Sequence, residues 1–299
     1  MRVAITGSSG LIGTALRRSL EADGHSAVPV VRREGVPGGI RWDIERGQID
    51  AAALEGIDAV VNLAGEGIGE KRWTDEQKQR ILRSRVDGTT LLCSALSELD
   101  EKPRALVSGS AIGIYGDRGD EQLTEASPPG SGFLSEVAIA WEAAADAAAS
   151  AGIRVAKVRT GIVLARHGGA LAKMASIARL GLLGKLGSGR QWMSWIALDD
   201  EVRAIRFLLD SEISGPVNLT APAPVTNAVF TKALGRALHR PTVLPVPAFG
   251  PKLLLGRELA SALLLEGQRV LPDALLDAGF EFRYDDLESA LAAILDRSA

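Results

Sequence analysis

Residues 6–13 read Thr-Gly-Ser-Ser-Gly-Leu-Ile-Gly, with glycines spaced G-x-x-G-x-x-G. An apolar run, Arg2-Val3-Ala4-Ile5, precedes them and predicts a buried strand. After them a helix is predicted to about Ala22, with Leu11, Ile12, Ala15, Leu16 and Leu20 on one face. Strand, glycine turn and helix form the context that a phosphate-binding loop needs. The glycines allow a tight turn and close backbone approach, and the helix N-terminus offers free N–H groups and a positive dipole end. Thr6, Gly7, Ser8, Ser9, Gly10, Leu11, Ile12 and Gly13 are therefore expected to hold a dinucleotide pyrophosphate. The second predicted strand, 26–31, runs into Arg32-Arg33. A site for an unphosphorylated ribose carries an acid at that place. Two guanidinium groups fit a 2′-phosphate instead, so NADP(H) is the expected cofactor. Asp43, after Trp42, is expected to face the adenine.

The later segments must carry the reacting groups. Residues 57–65 predict a buried strand ending in a small-residue turn, Leu63-Ala64-Gly65. Residues 74–99 predict a long helix opened by a capping box, Thr74 with Gln77. A further strand over 105–110 leads to Ser110 and Tyr115, the hydroxyl and phenol best placed for chemistry. Glu66, Glu70, Glu136 and Glu142 are further candidate acids or bases. In the glycine-rich stretch 187–196, Arg190 is an expected anion anchor and Trp192 an expected substrate wall. Asp199 or Asp200 is expected to cap a helix. Thr226 or Asn227 is expected to cap another, with Val229, Phe230, Ala233, Leu234, Ala237 and Leu238 on its apolar side, stopped by Pro241.

Composition narrows the class. A chain of 299 residues, 46% hydrophobic and 24% charged, suits one large or two closely joined domains. A net charge of -3 without a basic tract argues against nucleic acid as a partner. Cys93 is the only cysteine, which excludes an intramolecular disulfide. His25, His167 and His239 are scattered, so no metal is expected. The chain enters its first strand at once, without room for a signal peptide, and its apolar runs are too short to span a bilayer. The expectation is a soluble cytoplasmic protein with a small-molecule substrate and no membrane partner.

The whole chain resembles the extended short-chain dehydrogenases/reductases, in the atypical epimerase-family branch that is similar to nucleoside-diphosphate-sugar epimerases. The resemblance rests on TGSSGLIG, VVRR, NLAG, SRVDGT, SGSAIGIYGDRGDE, RTGIVL and LLEGQRVLP. It implies a doubly wound parallel α/β (Rossmann) sheet with a smaller C-terminal substrate domain. The cofactor domain is expected over 1–165 with returns at 196–222, and the smaller domain over 166–195 and 223–299. By the same resemblance, Leu63, Ala64, Gly65, Ser108, Arg159 and Gly161 border the cofactor, while Ser110 and Tyr115 orient the reacting carbonyl. A homodimer through the helices at 74–99 and 141–150 is implied as well. The chain departs from the wider family at the Tyr-x-x-x-Lys pair. In the two possible registers Phe133 and Val137, or Leu134 and Ala138, stand there, and the only tyrosines are Tyr115 and Tyr284. Two functions stay open: an NADP(H)-dependent oxidoreductase or epimerase-like enzyme acting on a hydroxyl or carbonyl of a small polar substrate, a sugar-nucleotide being one such, and a non-catalytic NADP(H)-binding sensor or scaffold.

Overall fold

A computed structural model of the chain describes residues 1–33, 35–242, 246–247 and 249–296. Of the expected C-terminal domain, residues 243–245, 248 and 297–299 lie outside the described residues.

The strands of the first half are β1 (Arg2–Thr6), β2 (Ser26–Val31), β3 (Ile40–Asp43), β4 (Gln48–Ile49), β5 (Ala59–Asn62), β6 (Ala105–Ala111) and β7 (Gln122–Leu123). Its helices are α1 (Leu11–Ala22), α2 (Asp75–Glu98), α3 (Phe133–Ala144) and α4 (Asp146–Ser150). The second half adds strands β8 (Arg154–Thr160), β9 (Ile162–Leu164), β10 (Trp192–Met193), β11 (Trp195–Ala197), β12 (Gly215–Leu219), β13 (Val225–Thr226) and β14 (Arg269–Val270). Its helices are α5 (Gly169–Arg179), α6 (Leu198–Asp210), α7 (Asn227–Ala237), α8 (Phe249–Leu255), α9 (Arg257–Ala260), α10 (Asp273–Asp277) and α11 (Leu287–Leu295).

The main sheet has eight strands in the order β12-β8-β6-β5-β1-β2-β3-β4. All neighbours are parallel except β3 with β4, so the expected doubly wound sheet is present. Its inner strands are buried on both faces, as parallel strands with helical crossovers must be. On one face Leu16 and Leu20 of α1 pack with Val202, Ile205 and Leu208 of α6. On the other, Leu92 and Leu96 of α2 pack with Ala145 and Ala148. A separate cluster, with Leu171, Trp195, Phe230 and Leu291, joins α5, α7 and α11 outside the sheet.

Local signals decide most helix ends. Thr74 caps α2 by accepting the Gln77 N–H, as its sequence predicts. The cap expected from Asp199 or Asp200 is not formed; Ala197 is the N-cap of α6. Asp200 instead accepts the backbone N–H groups of Arg283 and Tyr284, tying the C-terminal segment to the sheet. Asn227 likewise accepts the Leu186 N–H, and Thr226 stands at the N-cap of α7 without a side-chain bond. Val229 is 48% exposed, so it does not belong to the apolar face of α7.

Candidate functional site

Strands β1, β2 and β5 end on one edge, and their register places the candidate residues there. Thr6 is paired with Val30 on one side and with Asn62 on the other. The glycine turn, Arg32-Arg33 and the Leu63-Ala64-Gly65 turn therefore share that edge. The Thr6 hydroxyl stitches it together. It donates to Asn62 Oδ1 at 2.7 Å and accepts the N–H groups of Leu63 (3.0 Å) and Ala64 (3.1 Å). Asn62 Nδ2 donates to Thr89 Oγ1 at 2.8 Å, which also receives Trp141 Nε1 at 3.0 Å. The NLAG and SRVDGT motifs thus meet through their polar residues.

The glycine turn has no room for a side chain at Gly7 or at Gly13. Gly7 has φ +65, and a Cβ on it would lie 2.8 Å from the Leu63 carbonyl. A Cβ on Gly13 would lie 2.3 Å from the Gly7 oxygen. Gly10 is the N-cap of α1, no side chain caps it, and no acid stands in the first turn. The helix end is left open to an anionic ligand, so the turn fits a pyrophosphate. Arg32 and Arg33 are both exposed beside it. Asp43 ends β3, and its Oδ1 accepts the Arg46 N–H at 3.0 Å.

The reacting side is built from side chains far apart in sequence. Ser110, 5% exposed, donates to Glu142 Oε1 at 2.7 Å. Arg159 grips the same carboxylate with two bonds, Nε to Oε1 at 2.8 Å and an outer nitrogen to Oε2 at 3.0 Å. Its other outer nitrogen donates to the Tyr115 hydroxyl at 2.9 Å, and that hydroxyl donates to Asn218 Oδ1 at 2.7 Å. Burial works against the charge on Arg159, but the hydrogen bonds and charge of Glu142 outweigh it and push the guanidinium pKa up. Burial raises the Tyr115 phenol, with the Arg159 charge opposing.

Two expectations are corrected here. Tyr115 is 0% exposed and both its hydrogen-bonding directions are taken, so it cannot orient a carbonyl in a cleft. Arg159 is 6% exposed and committed to Glu142 and Tyr115, so it is a core ion-pair partner and does not border a cofactor. The cause is shared: β8 lies inside the sheet, between β6 and β12. Glu142, one of four carboxylates of equal standing in the sequence, is the hub. The helical spacing of Ser135, Ala138 and Glu142 on one side of α3 is the signal that could have found it.

Other predicted residues fall apart from this network. Ser108 is buried, paired in register with Asn62, and its hydroxyl has no partner among the described residues. Gly161 is where two chain segments touch: a Cβ there would meet the Ser194 oxygen at 2.6 Å. Arg190 and Trp192 both reach Asp120, at 3.9 Å and 2.8 Å. Arg269 lies 4.5 Å over the Trp192 ring. One face of the Trp192 ring is covered by a guanidinium, and the Arg190 side chain, 83% exposed, lies near a carboxylate.

A cavity of about 170 Å³ lies beyond the end of β6, between the start of α3 and the segment 258–268. Trp73 and Phe133 stand edge to face in its wall at 4.9 Å. Phe133 and Leu134, the residues at the missing tyrosine, line it, together with Gly113 and Gly116 of the stretch after Ser110. Among the described residues no cluster could hold a metal ion, and no helix is long and apolar enough to cross a membrane.

Known proteins share this architecture. Residues 246–294 match a domain of unknown function, DUF1731. Epimerase family protein Mb2239 of Mycobacterium bovis is 45% identical over 97% of this chain and 96% of its own length. The crystal structure of human epimerase family protein SDR39U1 (isoform2) with NADPH is 37% identical, with a TM-score of 0.89 over 98% of this chain and 99% of that one. The nucleoside-diphosphate sugar epimerase from Corynebacterium glutamicum is 40% identical, with a TM-score of 0.81 over 99% of this chain and 58% of that one. Residues 3–219, which hold the whole main sheet, match the NAD dependent epimerase/dehydratase family, and the chain belongs to that family.

Proposed function

We propose that the protein binds NADP(H) along the glycine edge and is an oxidoreductase or epimerase-like enzyme acting on a small polar substrate. The observation that carries the cofactor reading is the turn at Gly7–Gly13, closed to a Cβ at Gly7 and Gly13 and opening on an uncapped helix end. Arg32 and Arg33 share its edge and supply charge for a 2′-phosphate. The NADPH found in the human relative supports the same choice.

In this reading the turn binds the pyrophosphate through backbone N–H groups, and Leu63-Ala64-Gly65 leaves the neighbouring space clear. A nicotinamide bound there supplies a hydride donor or acceptor. Ser110 is the chain's own polar group closest to the chemistry. Its proton is given to Glu142, so Oγ can make a further bond only as an acceptor. It is suited to accept a hydrogen bond from a substrate hydroxyl, and Glu142, fixed by Arg159, holds it in that orientation. Tyr115 fixes Arg159 from behind.

One observation favours the second reading, a cofactor-binding protein without turnover. Phe133 and Leu134 stand where a phenol would act, and Tyr115 is locked in the core. Reduction or oxidation of the nicotinamide with a panel of alcohols and carbonyl compounds separates the two. The first test is calorimetric titration of the apo protein with NADPH and NADH, repeated on Arg32→Ala. A preference of about tenfold for NADPH, lost in the variant, corresponds to about 1.4 kcal/mol on the phosphate contact. Failure of both nucleotides to bind would refute the cofactor reading.

A further inference from the structure

Charge is spread unevenly along the chain. Residues 166–198 and 213–257 hold ten lysines and arginines and no aspartate or glutamate, although the whole chain has 34 such bases against 37 acids. The fold brings the two stretches together. Leu171 and Ala178 of α5 pack with Phe230 and Leu234 of α7. The Val246 N–H donates to the Lys185 carbonyl at 3.0 Å, and the Arg240 guanidinium donates to the Arg179 carbonyl at 3.3 Å. The bases are too widely spaced to form a basic tract in the sequence, and they gather only in three dimensions. Glu288 and Asp120, from other segments, pair with Arg236 and Arg190. Lys173, Arg179, Lys185 and Lys232 have no ion pair among the described residues. Next to Arg179, the side chains of Lys232, Arg236, His239 and Arg240 line an open pocket.

The same two stretches carry six of the nine large apolar side chains that are exposed among the described residues. At the end of α5 the Leu182 N–H donates to the Ile177 carbonyl, and Gly181, at φ +74, makes the turn. That closure sets Leu182 beside Ile177, with Leu180 between them in the chain. The three are 56%, 46% and 75% exposed. Lys173, Arg179 and Lys185, all exposed, flank them. Phe249 and Leu253, one turn apart on α8, are 73% and 79% exposed. They follow Val246, which bridges to Leu186. An apolar group of this size, set among bases, marks an interaction surface.

The chemistry of the surface selects its occupant. In a symmetric dimer through this face the same bases would confront one another. Nucleic acid would meet the bases, but leucine and isoleucine give it no stacking platform. An anionic bilayer matches both features: its headgroups take the lysines and arginines, and the boundary beneath them takes the apolar side chains.

We infer that this face seats on the surface of a membrane rich in anionic lipid. Leu180, Leu182, Phe249 and Leu253 enter the boundary between headgroups and acyl chains, and the surrounding bases meet lipid phosphates and carboxylates. No helix among the described residues is long and apolar enough to cross a membrane, so the attachment is peripheral. It departs from the expectation of no membrane partner, which rested on the lack of a spanning run, and it does not depend on the cofactor reading.

The test is co-sedimentation of the full chain with vesicles of phosphatidylcholine, alone or mixed with phosphatidylserine. Binding to the mixed vesicles is expected to be at least about tenfold tighter than to the neutral ones and to weaken as salt is raised. Leu180→Ser/Leu182→Ser removes apolar area already in contact with water, so the fold is kept, and binding is expected to weaken about tenfold. Lys173→Glu/Lys185→Glu is expected to weaken it to a similar degree and to flatten the salt dependence. Ile139→Ser, an equally exposed apolar change on α3, should leave binding as it is. Absence of binding to the mixed vesicles overturns the inference. So does binding that survives intact in Leu180→Ser/Leu182→Ser, because charge alone would then account for it. Tighter binding of a DNA duplex or of polyglutamate than of the mixed vesicles also overturns it, and would assign the face to nucleic acid or to an acidic protein.

Discussion

Two glutamates are buried against adjacent residues of one strand, on opposite faces of the sheet. Arg159 and Thr160 are neighbours on β8, and successive strand side chains point to opposite sides. On one side Arg159 meets Glu142 of α3 in a two-bond ion pair. On the other, Thr160 meets Glu201 of α6 with a single hydrogen bond at 2.8 Å. Glu201 is 0% exposed, and its second carboxyl oxygen has no partner among the described residues. Burial, only partly opposed by the Thr160 bond, pushes its pKa up to about 8. The same side chain, buried to a similar depth, is therefore a paired charge on one face and a neutral acid at pH 7 on the other. The partner decides which: a guanidinium neutralises the charge, whereas a hydroxyl only solvates one oxygen.

The largest effect is expected from removing the guanidinium. Arg159→Met leaves Glu142 buried without a cation and strips the Tyr115 hydroxyl of a donor. A loss of about 3–5 kcal/mol in denaturant-unfolding stability is expected. Adding Glu142→Leu to the same variant should restore most of it, because a buried pair replaced by apolar side chains is close to neutral. If the double variant is no more stable than Arg159→Met, the pairing account of this face fails. Ser110 loses its fixed orientation in either case, so the pair is also the support of the proposed reacting group.

The nucleotide edge was far more legible in the sequence than either of these sites. Glycine spacing, a strand before and an amphipathic helix after are local signals, and the turn they specify works through the backbone. The capping of α2 by Thr74 is equally local. Glu142, Arg159, Tyr115 and Asn218 come from α3, β8, the turn after β6 and β12. Their meeting depends on sheet order, which residue spacing does not encode. Tyr115 misled for that reason: a phenol after an active-site strand reads as reactive until the strand's neighbours are known to enclose it. Asp200 misled in a similar way. Its place at the start of α6 suggests a cap, but its partners are backbone groups at 283 and 284 and the Arg203 guanidinium.

The other face is probed by pH. Glu201 has a folded-state pKa raised from 4.5 to about 8, so the folded protein holds a proton that the unfolded chain releases above about pH 4.5. The contribution to stability is full below that point. It declines by about 1.4 kcal/mol per pH unit as pH rises, and is lost on passing through about 8. Glu201→Gln keeps the shape and a carbonyl for Thr160 but has no proton to lose. The stability difference between variant and wild type should therefore grow by a few kcal/mol from pH 5 to pH 8.5, in favour of the variant. Thermal unfolding across that range gives the slope. A difference that stays flat would place Glu201 among ordinary charged carboxylates and erase the contrast with Glu142.

Thr160→Val sharpens the comparison with the smallest change. It removes one hydroxyl and keeps the branched shape that a strand favours. At pH 6 the Glu201 carboxyl is neutral, and the lost bond is worth about 1 kcal/mol. At pH 8.5 the wild type has begun to ionise there, with the Thr160 hydroxyl helping to hold the charge. The valine takes that help away, so the ionisation should move to still higher pH. The cost of the variant should accordingly increase between pH 6 and pH 8.5, the reverse of the trend in Glu201→Gln. In the double variant Thr160→Val/Glu201→Gln the pH dependence should vanish. A pH-dependent cost that survived there would have to arise from another group, and the neutral-acid reading of this face would lose its support.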